Sequence, residues 1–342
     1  MATTCRQLAL SLSVEHFPYH RPFRISGHVF ESTAVLVARL SDGTHEGWGE
    51  GAGAYYLGDD AENMLTQAHA AQDAIEAGAT RADLQALIPP GGARNAIDCA
   101  YWDLEAKQTG TPVWKLAGLR QPVPLPSTLT LGADEPEAMA EAARALDPAA
   151  PIKVKLTGDT GVDILRVQAI RKARPTAWIG VDANQGYRIE TLPDLLPALV
   201  KARVALLEQP LAIGREADLD GYDRPLPFAA DESALTLADT DGLVGRFDIV
   251  NIKLDKCGGL TEGLAIARRA RALGLKVMVG NMMGTSLSMA PSYLLGQLCD
   301  VVDLDGPTFL TRDRPGGVRY AEGNVHCDDA IWGGATKMSP AG

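Results

Sequence analysis

Eight short apolar runs, spaced 22–28 residues apart, limit most strongly what this chain can fold into. They are Thr128–Leu131, Ile152–Leu156, Trp178–Ala183, Ala205–Gln209, Pro227–Glu232, Ile249–Leu254, Val277–Asn281 and Val301–Asp305. Helical periodicity fills several of the intervals, at 137–147, 162–174, 191–203 and 260–273. Repeated strand-then-helix units at this spacing predict a parallel β/α barrel. An open doubly wound sheet has the same periodicity and stays open at this level. No G-x-G-x-x-G or Walker A run follows any strand, so nucleotide binding has no support.

The region before these units reads differently. Residues 6–16 and 29–40 alternate apolar and polar side chains, and Ser41-Asp42-Gly43-Thr44 is a turn signal before Gly47-Trp48-Gly49-Glu50. That predicts an antiparallel meander, with Tyr19–Arg24 as a polar loop carrying aromatics. Helical patterns follow at Ala61–Ala77, Arg81–Leu87 and Ala93–Gln108, with Pro89-Pro90-Gly91-Gly92 between the last two and Gly110 as a stop. The first ~120 residues thus predict an α+β domain, and Pro122-Val123-Pro124-Leu125-Pro126 a linker.

Composition excludes several classes. A net charge of −11 with no basic run argues against nucleic acid. No apolar run is long enough to span a membrane, and Met1–Arg6 leads into a strand pattern rather than a signal-peptide core. The five cysteines (Cys5, Cys99, Cys257, Cys299, Cys327) are scattered and form no C-x-x-C, so structural zinc and a disulfide framework are not expected. A cytoplasmic location is the default expectation. Oligomeric state is not encoded legibly, although outer barrel helices are a route to a homo-oligomer.

The chemistry lies at the strand ends, where barrels of this kind carry their active sites. Lys153 and Lys155, two residues apart on the second run, share a face. The third run ends in Asp182, the fourth in Glu208, the fifth in Asp231 and Glu232, the sixth in Lys253, and the eighth in Asp303 and Asp305. A single acid at a strand end is commonly a helix cap. Asp182, Glu208 and Asp231 at one level on successive strands would converge and repel unless a cation joins them. An all-oxygen set points to Mg2+, with Mn2+ as a substitute, and a salt-bridge network with the lysines is the competing account. In an eight-stranded barrel the second and sixth strands oppose each other. Lys155 and Lys253 would then face one carbon from two sides, with their pKa values lowered by the nearby cation. The step this suits is metal-assisted proton abstraction beside a carboxylate, through an enediolate.

The set Lys153-x-Lys155, Asp182-Ala183-Asn184, Glu208-Gln209-Pro210, Asp231-Glu232-Ser233 and Asn251-Ile252-Lys253 closely resembles the muconate-lactonizing subgroup of the enolase superfamily. Ala100–Lys107 and Leu116–Leu119 resemble its N-terminal capping domain. The resemblance implies a (β/α)7β barrel over 122–315 and an α+β capping domain over 1–121, completed by the tail at about 316–342. It implies Mg2+ on Asp182, Glu208 and Asp231, Lys155 and Lys253 as the acid/base pair, and Lys153 on the substrate carboxylate. Asp303-Leu304-Asp305 resembles the aspartate pair with which dipeptide epimerases bind a free ammonium, and two acids on one face suit a cation. Thr130 and Met282 are carried over as substrate contacts, and Arg24 as the partner of a second-residue carboxylate. The expected substrate is a small dipeptide, with L-Ala-D/L-Glu as the lead, epimerized at the α-carbon of its C-terminal residue. Gly280–Thr285 after the seventh strand adds no charged group, which leaves the fit around the second side chain open. The alternatives are an N-acylamino acid racemase, an o-succinylbenzoate synthase, a cycloisomerase, a Schiff-base lyase barrel or a non-catalytic binding barrel.

Overall fold

The computed structural model describes residues 8–25 and 28–335. Cys5, the Met1–Arg6 segment and the last seven residues of the expected tail lie outside the described residues. Strands β1 (Ala9–Ile25), β2 (His28–Ser41) and β3 (Glu46–Ala52) form the expected antiparallel meander. The expected loop at Tyr19–Arg24 is instead part of β1, whose pairing with β2 shifts register between Pro18 and Phe23. Alternation explains the difference. Phe17, Tyr19, Phe23 and Ile25 are buried while Pro18, His20, Pro22 and Arg24 are exposed, which is a strand with an aromatic inner face.

Helices α1 (Ala61–Glu76), α2 (Arg81–Leu87) and α3 (Gly92–Thr109) cover one side of this meander. Leu36, Leu40, Met64, Ile75, Leu84, Ile97 and Leu104 make a core of their own there. Gly47, Gly49 and Gly51 of β3 lie directly on the α3 backbone, where any Cβ would strike the carbonyls of Ala100, Ala96 and Gly92. Glu50, between two of them, must point the other way, and it is fully buried against the barrel. There it accepts hydrogen bonds from Thr285 N at 2.7 Å and Thr285 Oγ1 at 2.5 Å, and from Arg314 Nη2 at 2.7 Å.

After α4 (Val113–Leu116) and a two-residue β4 (Leu125–Pro126), the barrel begins. Its strands are β5 (Leu129–Leu131), β6 (Ile152–Lys155), β7 (Ile179–Asp182), β8 (Leu206–Glu208), β9 (Phe228–Ala230), β10 (Ile249–Ile252), β11 (Lys276–Val279) and β12 (Val301–Val302). They pair in chain order, all parallel. Thr128 N donates to Val302 O at 3.0 Å and ties the last strand back to the first. Helices α5 (Pro136–Ala145), α6 (Thr160–Ala173), α7 (Leu192–Lys201), α8 (Leu254–Cys257), α9 (Leu260–Ala272) and α10 (Ser286–Gly296) fill five of the seven connections. Between β8 and β9, and between β9 and β10, only 3-10 turns occur, at Glu216–Leu219 and Leu237–Leu243. Both stretches are broken by glycine and rich in charge, and proline ends the first, so neither holds an amphipathic run of helical length.

The proline-rich stretch expected as a linker contributes β4, which pairs with β14 (Asn324–His326). That strand in turn pairs with β13 (Arg319–Ala321). The chain then returns to the N-terminal helices. Trp332 Nε1 donates to Cys99 O at 3.2 Å and Gly333 N to Asp103 Oδ1 at 2.9 Å. Among the described residues no helix is long and apolar enough to cross a membrane.

Candidate active site

The register of the barrel sets the polar side chains at one level. Lys155 is the Cα partner of Asp182, and Asp182 of Glu208. Lys153 and Lys155 are both buried. Lys155 Nζ donates to Asp182 Oδ2 at 2.6 Å. Lys153 Nζ reaches Asp182 Oδ2 at 3.1 Å, Glu208 Oε2 at 2.9 Å and Asp303 Oδ2 at 2.8 Å. Lys253 Nζ stands 2.7 Å from Asp231 Oδ2.

Asp182, Glu208 and Asp231 each present an oxygen within 4.8 Å of the others, all buried. The residues fit a hard cation. The donors are all buried carboxylate oxygens that converge on one point, the set such a cation takes. Charge agrees. Six buried acids (Asp182, Glu208, Asp231, Glu232, Asp303, Asp305) face four buried lysines (Lys153, Lys155, Lys253, Lys256), which leaves the full set two charges short of neutral. The salt-bridge network weighed from the sequence is therefore present but incomplete.

The imbalance appears in the protonation of individual groups. Burial, reinforced by Asp182, pushes Glu208 up to about 8. Burial and the charges of Asp231 and Asp182 push Glu232 to about 7. Burial also opposes ionization of Asp182 and Asp231, but the adjacent lysines prevail. Lys155 and Lys153 hold Asp182 at about 2, and Lys253 and Lys256 hold Asp231 below the ordinary range. Burial lowers Lys253, but Asp231, Glu208 and Glu232 together raise it more, and the net direction is upward. Lys153 is likewise raised by Asp303, Glu208 and Asp182 against the effect of burial. The carboxylates around both ammoniums stabilize their charge more than burial penalizes it.

On the far side, Asp303 accepts from Thr128 Oγ1 at 2.5 Å as well as from Lys153. Asp305 accepts from Thr130 N at 2.6 Å, and burial beside Asp303 raises it to about 7. Thr130, Met282, Asp303 and Asp305 line one cavity of about 260 Å³ with Lys153, Lys155, Asp231 and Lys253. Its outer wall is Phe23, Ile25, Phe30 and Tyr55 from the capping domain, and Met282 and Met283 from the loop after β11. Thr33 Oγ1 donates to Met283 O at 2.8 Å and pins that loop to the cap.

Arg24 does not join this group. It is exposed, on the outer face of β1 between Phe23 and Ile25, because strand alternation sends it away from the cavity those two line. Sequence reasoning also missed residues that hold the site. Lys256 donates to Asp231 Oδ1 at 2.6 Å and Asn251 O at 3.1 Å. Asn251 Nδ2 donates to Glu208 Oε1 at 2.8 Å. For Asn251 a signal existed, since it lies two residues before Lys253 and so shares its face. Lys256 comes one helical turn after Lys253, a spacing that is commonplace.

A capped parallel barrel with a three-carboxylate cation site between two buried lysines defines a metal-dependent enzyme that moves a proton beside a carboxylate. Family comparison agrees. Residues 137–329 match the enolase C-terminal domain-like family, and residues 10–118 match the mandelate racemase/muconate lactonizing enzyme N-terminal domain. The chain belongs to this mandelate racemase/muconate lactonizing group of the enolase superfamily.

Among curated relatives, it is 37% identical to the L-Ala-D/L-Glu epimerase of Escherichia coli (strain K12), over 91% of this chain and 97% of that one. It is 38% identical to an N-acetyl-D-glutamate racemase of Pseudoalteromonas, over 88% and 96%. Among solved structures, an enolase family member from Agrobacterium tumefaciens with homology to dipeptide epimerases, with sodium and L-Ala-L-Glu bound, superposes with a TM-score of 0.92. It is 36% identical, over 95% of this chain and 100% of that one. A dipeptide epimerase from Methylococcus capsulatus, complexed with Mg and L-Arg-D-Lys, has a TM-score of 0.88 at 29% identity, over 94% and 97%.

Proposed function

We propose that this protein is a Mg2+-dependent dipeptide epimerase that inverts the α-carbon of the C-terminal residue, with L-Ala-D/L-Glu as its substrate. The observation that carries the reading is the acid pair facing the catalytic cavity. Asp305 is a buried carboxylate with a backbone N–H as its donor, raised to about 7, and a substrate ammonium beside it would favour its ionized form.

Asp182, Glu208 and Asp231 would hold the metal, with Asn251 and Lys256 orienting Glu208 and Asp231. When bound, Mg2+ supplies Lewis-acid stabilization of the charge that builds on the substrate carboxylate. β6 and β10 are four strands apart in either direction around the barrel, so Lys155 and Lys253 approach from opposite sides. The lysine that takes the α-proton does so as the neutral amine, and the other, as the ammonium, returns a proton to the opposite face, which inverts the centre. Lys153 sits between the metal ligands and Asp303, positioned for the substrate carboxylate.

The glutamate assignment is supported by the Escherichia coli and Agrobacterium tumefaciens relatives rather than by Arg24, which faces outward. The Pseudoalteromonas relative supports a second reading, an N-acylated glutamate. Such a substrate lacks the ammonium that Asp303 and Asp305 would bind, so the acid pair favours the dipeptide. We place the protein in the cytoplasm, in keeping with free cysteines at Cys99, Cys257, Cys299 and Cys327.

The deciding experiment incubates a dipeptide library and N-acetylglutamate with Mg2+ in D2O and reads mass. A one-dalton gain in L-Ala-D/L-Glu supports the proposal. Labelling of N-acetylglutamate alone replaces it with the second reading.

A further inference from the structure

The 3-10 turn Tyr55–Leu57 follows β3 and places Tyr56 in the wall of the catalytic cavity. The turn is firmly held. Leu57 N donates to Ala54 O at 2.8 Å, and Gly58 N to Tyr55 O at 3.1 Å. Asp59 Oδ2 accepts from Gly92 N at 2.7 Å, which fastens the turn to the start of α3. Tyr56 therefore occupies a defined position above the barrel mouth.

Its hydroxyl is buried and has no hydrogen-bond partner among the described residues. Most buried hydroxyls in folded proteins are paired, so an unpaired one invites a functional explanation. The charged groups that act on it are Asp231, Glu232 and Asp182, the centre of the proposed chemistry. The other unpaired buried atoms on residues lining this cavity, Asn184 Oδ1, Glu232 Oε2 and Asp59 Oδ1, are acceptors. A phenol is protonated at neutral pH and is free to donate.

We propose that the Tyr56 hydroxyl donates a hydrogen bond to the substrate carboxylate from the capping-domain side, which makes it a further catalytic residue. This rests on the epimerase reading above. Lys153 serves the same carboxylate from the barrel. As Cα loses its proton, negative charge moves onto the carboxylate oxygens, and a fixed donor aimed there gains strength in the transition state. The phenol keeps its proton throughout. Its position on the cap also means that the carboxylate is fully solvated by protein only when cap and barrel are seated together.

The test is Tyr56→Phe, assayed in D2O with Mg2+ and each epimer of L-Ala-Glu. Deuterium exchange should fall about 10- to 100-fold for both epimers alike, the loss of one charge-assisted hydrogen bond. Replacement of either catalytic lysine should instead spare exchange from one epimer. The melting temperature of Tyr56→Phe should not fall, since the hydroxyl removed has no partner among the described residues. Its thermal shift with Mg2+ alone should match the wild type. Exchange within about twofold of wild type would overturn the proposal, and so would a drop in melting temperature that accounts for the lost exchange. A wild-type enzyme that labels no dipeptide sinks the epimerase reading together with this one. Wild-type labelling with an unaffected variant sinks this one alone.

Discussion

Lys155 Nζ donates to Asp182 Oδ2 at 2.6 Å, and the two residues are Cα partners across β6 and β7. A proposed base and a proposed metal ligand thus share one hydrogen bond. The same holds for Lys253 and Asp231 at 2.7 Å. Each lysine is aimed by the carboxylate beneath it, and each carboxylate ionizes because of the lysine. The four residues are expected to behave as one unit.

Replacement of Lys155 or Lys253 by Ala should reduce epimerization by at least about 100-fold, the usual contribution of a positioned acid or base. The two variants should differ in one respect. Each should still exchange the α-proton of the epimer that its remaining lysine faces. Mass analysis of each epimer in D2O checks this, and two variants dead toward both epimers would refute a division of labour by face.

Removal of metal with EDTA should abolish turnover, and Mg2+ should restore it. Borohydride should trap no substrate on either lysine. Glu208→Gln should weaken Mg2+-induced thermal stabilization, because Glu208 is one of the three converging carboxylates of the ligand set. A Glu208→Gln protein stabilized by Mg2+ as strongly as wild type would remove Glu208 from the ligands.

Asp305→Asn should lower kcat/KM for L-Ala-L-Glu by about 10- to 100-fold, the loss of a buried charge-assisted bond to the ammonium. Turnover of an N-acylated amino acid, if measurable, should not fall in parallel. Equal loss on both substrates would mean that Asp305 acts on the fold and not on the ammonium.

Asp255 gives a prediction about stability. It is buried between barrel and cap, accepts from Asn95 Nδ2 at 2.8 Å and Ala52 N at 2.9 Å, and is raised to about 7, chiefly by burial. A carboxyl raised in the fold contributes stability that is complete below its unfolded pKa. That contribution is lost as pH rises through the folded value. Asp255→Asn cannot ionize and keeps an acceptor for both donors. Its melting temperature relative to wild type should therefore be higher at about pH 8 than at about pH 5. A difference that does not change with pH would show that Asp255 is ionized at both.

Much of the site is legible before any coordinates. Strand alternation puts Lys153 and Lys155 on one face, and the spacing of the runs puts Asp182, Glu208 and Asp231 at the same end of successive strands. The protonation of Lys253 is not legible, because it depends on Asp231 at 2.7 Å and on a surplus of acids around it. Arg24 shows the opposite failure. The resemblance makes it the partner of a second-residue carboxylate, but its place on β1 turns it outward in this structure.

By itself the sequence determined the period of the barrel, the positions of its strand ends and the type of group at each, because side-chain direction along a strand is a local property. Only the tertiary structure decided which groups meet. Lys155 and Lys253 are nearly a hundred residues apart and oppose each other because eight strands close into a ring. Glu50 reaches the barrel because the glycines of β3 let that strand settle on α3 and aim its other face across the domain boundary. Contacts of that kind depend on how two packed units fit, and no local pattern in the chain carries that information.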